Sequence, residues 1–129
     1  ITKYSKMFIQ MEQCFSGGFV NDLAGANRII MSACHDTECS WAKGPDWLWN
    51  QFTFYYLGAW TGSKPDGSGS VNADTNGDGK VSMVECFNYA RSNDTASETP
   101  FYEDNGTRPG HSGQMPGGGE GALGGSTSF

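Results

Sequence analysis

Two short stretches of the sequence carry side chains that could perform covalent chemistry. In the first, Cys14 follows an apolar run and is followed at once by Ser16, Gly17 and Gly18. A thiolate is a strong nucleophile, and glycines in the loop after it allow a substrate backbone to approach closely. The pattern therefore favours a nucleophilic Cys14, and a structural or disulfide-bonded cysteine is the alternative.

The second stretch runs from Cys34 to Ser40 and reads CHDTECS. His35 could act as the base that activates a neighbouring thiol, and Asp36 could orient its imidazole ring. A place for His35 in a substrate pocket or on the surface is the alternative. The carboxylates of Asp36 and Glu38 would favour basic substrates if they line a pocket, or they are solvated strand ends.

The elements around these stretches predict that the two lie together. Residues 6–13 and 27–34 are apolar runs that predict strands, and residues 17–25 predict a short helix or turn between them. This order indicates two parallel strands joined by a right-handed crossover, and hence an α/β fold. Because parallel strands end at the same edge of a sheet, Cys14 should lie beside residues 34–38.

Two further helices are expected downstream. Residues 46–60 predict a helix capped by Asp46, and residues 82–91 predict a shorter one after a polar loop over 61–73. The first helix has a row of apolar side chains at helical spacing, which favours packing on the sheet, with a ligand-binding platform as the alternative. This row consists of Trp47, Leu48, Phe52, Tyr55, Tyr56 and Ala59.

The remainder of the chain is polar from Ser92 onwards, and from Pro109 it is low in complexity and should be flexible. The sequence therefore predicts a core over residues 1–60, a calcium-binding segment over 61–108 that packs on it, and a glycine-rich tail over 109–129.

A calcium loop is the most specific motif of the sequence. Residues 74–85 read DTNGDGKVSMVE and match the twelve-residue EF-hand loop at each demanding position, including Gly79 at the sharp turn. Calcium takes oxygen ligands, which alternate residues of a turning loop can supply together. A solvated turn is the alternative, and a lone loop suggests a structural site more than a sensor. The predicted ligands are Asp74, Asn76, Asp78, the main chain of Lys80, Ser82 and Glu85.

Charge and composition narrow the partners. The 129 residues carry a net charge of −6 without a basic cluster, which makes nucleic acids and anionic membranes poor partners. No apolar run has the length of a membrane span. Because the chain begins with Ile1, we expect that an upstream segment has been removed.

The predicted location is outside the cytosol, in a secreted or surface protein. A low-affinity calcium loop works best where calcium is abundant. Asn93 and Asn105 each begin a glycosylation sequon. The four cysteines allow three full pairings, and Cys34 and Cys39 are close enough in sequence for a local bridge.

The stretch FIQMEQCFSGGF resembles the nucleophile block of the caspase-like cysteine peptidases, the group that holds caspases, legumains, metacaspases and gingipains. Glu12, Cys14, Ser16 and Gly17 match that block. NRIIMSACHDTECSWA resembles the next strand of legumain-like members, whose end helps to form the substrate pocket. Together with WNQFTFYYLGAWTG, VNADTNGDGKVSMVECFNYA and ETPFYEDNG, they look like a microbial legumain-like branch with a calcium loop, over roughly residues 6–105.

The resemblance implies the C-terminal half of a caspase-like α/β/α sandwich and an endopeptidase in which Cys14 attacks the peptide. Asp36, Glu38 and Ser40 would then contribute to the substrate pocket. In this family the catalytic histidine lies upstream of the cysteine, and residues 1–13 contain none. The implied partners are therefore an upstream half of the same precursor, or other copies of the chain, and a peptide substrate.

Whether the chain is active by itself stays open at this point. A catalytically inactive, calcium-stabilised assembly protein derived from a peptidase half is the alternative, because a truncated sheet has an unpaired edge. A third hypothesis is an extracellular recognition module that binds its ligand on the aromatic helix face.

Overall fold

The computed structural model describes residues 3–45, 47–106 and 121–128. Strand β1 (Met7–Met11) pairs in parallel with β2 (Arg28–Ser32), and Ile9 lies opposite Ile30. The connection contains a 3₁₀ turn (Ser16–Phe19) and the short helix α1 (Val20–Leu23). The predicted pair of parallel strands with a short helical crossover is therefore confirmed.

A third strand completes this sheet and was not predicted. β5 (Phe101–Asp104) runs antiparallel to β2, which gives the strand order β1-β2-β5. The segment looked polar because it holds only two adjacent aromatic residues, Phe101 and Tyr102, before two acidic ones. Its strand conformation follows from pairing with β2, which a local pattern does not reveal.

The sheet is covered by helices on both faces. Ile29 and Met31 of β2 point into the larger core, where they meet α2 (Gln51–Thr61) and α3 (Met83–Asn93). Ile30 points to the opposite face and packs with Val20 of α1. This alternation along one strand places β2 at the centre of an α/β arrangement with helices on both sides.

The start of α2 differs from the predicted one. The helix begins at Gln51, and the side chain of Asn50 caps it by accepting the Thr53 N–H at 3.0 Å. The predicted cap, Asp46, lies outside the described residues. β3 (Ala42–Lys43) and β4 (Trp49–Asn50) form a small antiparallel ribbon before the helix, so this segment is extended rather than helical.

The predicted apolar row of this helix is only partly a core element. Phe52, Tyr56 and Ala59 are buried, as expected. Trp47 and Leu48 are 68% and 75% exposed, so their assignment to the core was wrong. Their spacing fits a helical period by chance, because they precede the helix cap. Because Phe52, Tyr56 and Ala59 are buried, this part of the helix face packs in the core, and the hypothesis of a ligand-binding aromatic face stays a prediction.

The C-terminal helix α4 (Ala122–Gly125) corrects the prediction of a flexible glycine-rich tail for residues 121–128. The buried carboxylate of Asp104 accepts N–H groups from Gly121 at 2.9 Å and Gly124 at 2.7 Å. A Cβ on Gly124 would collide with the Tyr102 hydroxyl. These glycines therefore permit close docking rather than motion. Residues 109–120 of the predicted tail lie outside the described residues.

α3 was predicted over residues 82–91, and Ser82 is its N-cap. It packs with α2 in the same core, and the predicted boundary after residue 60 stays a prediction. Within the described parts of the chain, no helix has the length and apolar character that a membrane crossing needs.

Candidate active site

Cys14 lies in the loop after β1 and is exposed, as the strand-end geometry predicted. Phe15 follows it in the left-handed region, with a φ of 63°. This conformation is uncommon for a bulky residue and concentrates at functional sites. The Phe15 N–H donates to the carbonyl of Glu38 at 2.8 Å, which holds the loop against the segment that follows β2.

Gly17 has a different role from the predicted one. It is buried, and a Cβ at this position would come within 2.7 Å of the Cys34 carbonyl oxygen and 2.8 Å of the Asp36 nitrogen. The chain's own backbone, rather than a substrate, therefore makes the close approach that requires glycine here. Gly18 is exposed, and its nearest contact is the Asp36 Cβ at 3.5 Å.

The amides of this loop are mostly in use. The N–H groups of Phe15, Ser16 and Gly18 donate to the carbonyls of Glu38, Gln13 and Phe15, respectively. Because these three N–H groups are already hydrogen-bonded, they are not available to stabilise an oxyanion. Among the described contacts, none occupies the Cys14 N–H, the amide expected at the developing charge.

A groove with a volume of about 630 Å³ opens beside Cys14. This volume lies within the range of about 300–1,000 Å³ that is typical of ligand pockets. Glu12, Cys14 and Ser40 of the predicted site line it, whereas Asp36 and Glu38 do not. The other lining residues, which sequence reasoning did not assign to the site, are Gln13, Trp41, Ala42, Trp47, Leu48, Trp49 and Asn50. The dense run of tryptophans before α2 was the available signal.

Two groove residues are held in place by polar contacts. Glu12 accepts a hydrogen bond from the Thr53 hydroxyl at 2.8 Å, which ties it to the first turn of α2. The Ser40 hydroxyl accepts a hydrogen bond from the Asn50 side-chain amide. The Ser40 carbonyl lies 3.8 Å from the Cys14 Sγ. Asn50 therefore caps α2 and supports the groove at the same time.

His35 is half-buried, and its ring packs edge-on against Phe101 with the centroids 4.7 Å apart. Its Nδ1 is in contact with the Asp36 carboxylate and with the Thr37 hydroxyl. Asp36 is thus placed to orient this ring, as predicted for a catalytic pair. Within the described residues, no hydrogen bond joins the imidazole to the Cys14 thiol.

The Glu38 side chain connects the loop after β2 to the segment around Thr99 through hydrogen bonds. Its carboxylate accepts N–H groups from His35 at 3.2 Å and Thr99 at 2.7 Å, and the Thr99 hydroxyl at 3.0 Å. Desolvation would raise the pKa of this carboxyl, but these hydrogen bonds outweigh it and lower the pKa below its ordinary value. The predicted role of Glu38 in substrate binding stays a prediction.

The comparisons with known proteins agree with the geometry around Cys14. A family model described as the peptidase C13 family matches residues 1–108. This chain belongs to the peptidase C13 family. The resemblance to legumain-like cysteine peptidases is therefore confirmed, and the mixed sheet with its helices is consistent with a caspase-like fold. No curated protein and no solved structure shows a significant match.

Two neighbouring carboxyls, Glu98 and Asp94, lie next to the groove of this C13-family chain, where Glu98 contacts Trp41. Glu98 Oε2 accepts the N–H of Trp41 at 3.0 Å. Partial burial, and next the hydrogen bond with Asp94, raise the pKa of Glu98 to about 8. Burial also raises the pKa of Asp94. Ionisation of both carboxyls at once is disfavoured, because two negative charges this close in a half-buried place repel each other.

The predicted calcium loop is closed by hydrogen bonds to its own amides. Asp74 accepts the N–H of Gly77 at 2.7 Å and of Gly79 at 2.9 Å. Asn76 accepts the N–H of Asp78 at 2.8 Å. Gly79 has a φ of 80°, as the sharp turn of such a loop requires. The loop thus has the predicted turn.

Glu85, at the last position of this loop, connects its two ends. It accepts hydrogen bonds from the N–H and hydroxyl groups of Thr75 and from those of Ser82, where it completes the capping box of α3. Burial would raise the pKa of Glu85, but the hydrogen bonds from Ser82 and Thr75 lower it to about 2. Ser82, a predicted ligand, is the helix cap.

The loop contains the oxygen donors that calcium takes, and Gly79 has the positive φ of the turn. Its carboxylates are engaged separately, and within the described ranges no three acidic, histidine or cysteine side chains gather as a metal-binding group. Calcium binding is therefore a proposal, and no catalytic step depends on it.

Proposed function

We propose that this chain contains the nucleophile and the substrate groove of a legumain-like cysteine endopeptidase. The observation that supports this proposal most is the exposed Cys14 thiol at the rim of the groove. The residue after it, Phe15, has a positive φ. Membership of the peptidase C13 family supports peptides as the substrates.

The proposed reaction is acyl transfer. The Cys14 thiolate attacks the carbonyl carbon of the scissile bond, and the Cys14 N–H stabilises the oxyanion that develops there. Collapse of this intermediate breaks the peptide bond, and the amine leaves with a proton. Water then hydrolyses the thioester, which releases the acid and restores the thiol.

The base that this reaction needs is proposed to be a histidine of an upstream half of the precursor. This arrangement follows the family pattern, in which the histidine precedes the cysteine. His35 is the alternative inside the chain, but its Nδ1 already contacts Asp36 and Thr37. The position of β1 at an edge of the described sheet supports the first arrangement, since an upstream strand could pair there.

Substrate selection is proposed to depend on Glu12 and Ser40, which line the groove beside Cys14. The Glu12 carboxylate would favour a basic side chain next to the cleaved bond. Asp36 and Glu38, the other proposed pocket residues, lie outside the groove lining and would act from its surroundings. Their bonds to His35 and Thr99 make them supports of the loop first.

Calcium is proposed as a structural ligand of the loop over residues 74–85, in a secreted or surface protein. The positive φ of Gly79 and the loop-closing bonds of Glu85 support it. The expected effect is a higher melting temperature in millimolar calcium than in EDTA. Equal melting temperatures in the two conditions would exclude a stabilising site.

The peptidase proposal is tested by treating the reduced chain with a peptidyl electrophile and mapping the modified cysteine by mass spectrometry. We expect preferential modification of Cys14 over Cys39, which is also exposed and therefore controls for access. A Cys14→Ser variant should lose the modification. Because Cys14 lines the groove and Cys39 does not, equal labelling of the two cysteines, at the rate of a free thiol in solution, would contradict a groove that brings a peptide to Cys14.

The second candidate function, a calcium-stabilised assembly, is favoured by the edge position of β1. Another copy of the chain could add a strand there. Light scattering of the purified chain measures this directly, and a strict monomer across the concentration range would exclude self-assembly.

A further inference from the structure

Two exposed thiols lie in adjacent loops, Cys14 in the lining of the groove and Cys39 next to the groove residue Ser40. The Phe15 N–H contacts the Glu38 carbonyl at 2.8 Å, and the Cys14 Sγ contacts the Ser40 carbonyl at 3.8 Å. These two contacts fall on either side of Cys39, so they bring its backbone alongside that of Cys14. The two side chains are close enough to interact, because Cys14 raises the pKa of the Cys39 thiol.

We propose that Cys14 and Cys39 form a reversible disulfide that protects and blocks the Cys14 thiol. Formation of the bond depends only on the two thiols and an oxidant. Its consequence, loss of the nucleophile until reduction, rests on the function proposed above. A disulfide requires two Cα atoms within about 7 Å of each other, and the contacts on either side of Cys39 favour such an approach to Cys14.

The oxidant is a hydroperoxide, and the reaction balances in two steps. The Cys14 thiolate attacks one peroxide oxygen, which forms a sulfenic acid and releases hydroxide. The Cys39 sulfur then attacks the sulfenic sulfur, the S–O bond breaks, and water leaves with the thiol proton. Overall, two thiols lose two electrons and two protons, and one hydrogen peroxide becomes two molecules of water.

The other two cysteines are poorly placed for this reaction. Cys34 is fully buried, and its thiol contacts the carbonyls of Gln13 and Glu38 and the Ser16 hydroxyl. Cys86 is also buried, and burial raises its pKa to about 12, so it stays a protonated thiol. Because thiol oxidation follows exposure and thiolate character, the exposed pair should react first.

The roles within the pair differ. The hydrogen bond to Cys14, and then the charge of Cys14, raise the pKa of the Cys39 thiol. Cys39 therefore stays protonated while the Cys14 thiolate attacks the peroxide, and the Cys39 sulfur resolves the sulfenic acid afterwards. Without Cys39, further peroxide would convert Cys14 to the sulfinic acid, which is not reversed by a thiol reductant.

The experiment treats the reduced chain with hydrogen peroxide and maps the products by mass spectrometry without reduction. We expect a Cys14–Cys39 linked peptide that disappears with dithiothreitol, together with full recovery of Cys14 labelling by the peptidyl electrophile. The Cys39→Ser variant should give sulfinic Cys14 and no recovery. A Cys86→Ala variant is the matched control and should behave as the unmodified chain.

A Cys14–Cys34 disulfide, or irreversible oxidation of Cys14 in the unmodified chain, would overturn the inference. The two proposals fail separately. If the disulfide forms but reduced Cys14 never labels preferentially, the peptidase proposal fails and the thiol pair stands. If Cys14 labels well but no Cys14–Cys39 bond appears at any peroxide concentration, the thiol pair is refuted and the peptidase proposal stands.

Discussion

Loss of the proton from Glu98 should make the chain less stable as the pH rises from about 5 to about 8. The carboxyl is half-buried, accepts the N–H of Trp41 at 3.0 Å, and interacts with the neighbouring carboxyl of Asp94. Partial burial first, and then Asp94, raise the pKa of Glu98 to about 8, whereas the ordinary value is 4.5. The protonation state of Glu98 therefore affects the groove-lining segment at Trp41, and the stability of the fold should depend on the pH.

The sign follows from proton binding. Between the unfolded and folded pKa values the folded chain holds more protons, so raising the pH favours unfolding. The stabilisation is complete below the unfolded pKa and is lost as the pH rises through about 8. At ~1.4 kcal/mol per pKa unit, the difference sets a ceiling of about 5 kcal/mol. Solvent screening at a partly exposed site reduces this to about 1–2 kcal/mol.

The variant Glu98→Gln keeps the shape and cannot ionise. At about pH 8 it should be more stable than the unmodified chain by about 1–2 kcal/mol, and near pH 5 the two should be about equal. Urea denaturation of the reduced proteins at both pH values measures this. The matched control is Asp66→Asn, which removes the same charge from an exposed loop where hydrogen bonds from Ser68 lower the pKa.

Parallel stability curves for Glu98→Gln and the unmodified chain over this interval would refute the reasoning. If Asp66→Asn gained the same stability at about pH 8, the effect would be one of net charge and not of the Glu98 site. The acids Glu38 and Glu85 do not disturb the comparison, because their pKa values are lowered and they titrate below the interval.

Three further outcomes follow from single positions. Gly17→Ala should lower the unfolding free energy by about 1–3 kcal/mol in urea denaturation, because the added Cβ would meet backbone atoms. The control is Gly18→Ala, whose Cβ makes an ordinary contact at 3.5 Å and whose unfolding free energy should stay close to that of the unmodified chain. Asp104→Asn should release α4 and speed limited proteolysis near residues 121–128, and unchanged cleavage would contradict its docking role. Glu85→Gln should abolish any rise in melting temperature on adding calcium, and a retained rise would place calcium elsewhere.

The parallel strand pair was predictable because its signals are local. Residues 6–13 and 27–34 are continuous apolar runs, and the segment between them is too short for anything but a brief crossover. β5 was not predictable in this way, because its two aromatic residues become a strand only by pairing with β2. The start of α2 was misplaced because Trp47 and Leu48 match the helical period of the residues that follow. The helix itself begins only after its N-cap, Asn50.

The candidate site was predictable as a neighbourhood and not as a set of contacts. Strand order alone placed Cys14 near residues 34–38, and the structure has the Phe15 amide on the Glu38 carbonyl. That Gly17 is required by the chain's own backbone, and that Trp41 lines the groove, depend on loop conformations. Such conformations are set by tertiary contacts that no short pattern contains.

The three cysteines at one edge of the sheet are of two kinds. Cys34 is buried, whereas Cys14 and Cys39 are exposed. Cys34 is buried between the two loops, where its sulfur contacts the Gln13 and Glu38 carbonyls and helps to hold the loops together. Cys14 and Cys39 lie above it in solvent, where they can react. A buried thiol of this kind behaves as a small packing group, and the exposed thiols provide the chemistry. The reactivity of Cys14 therefore depends on a loop that Cys34 and Gly17 support, and either substitution should change the labelling of Cys14 without touching its sulfur.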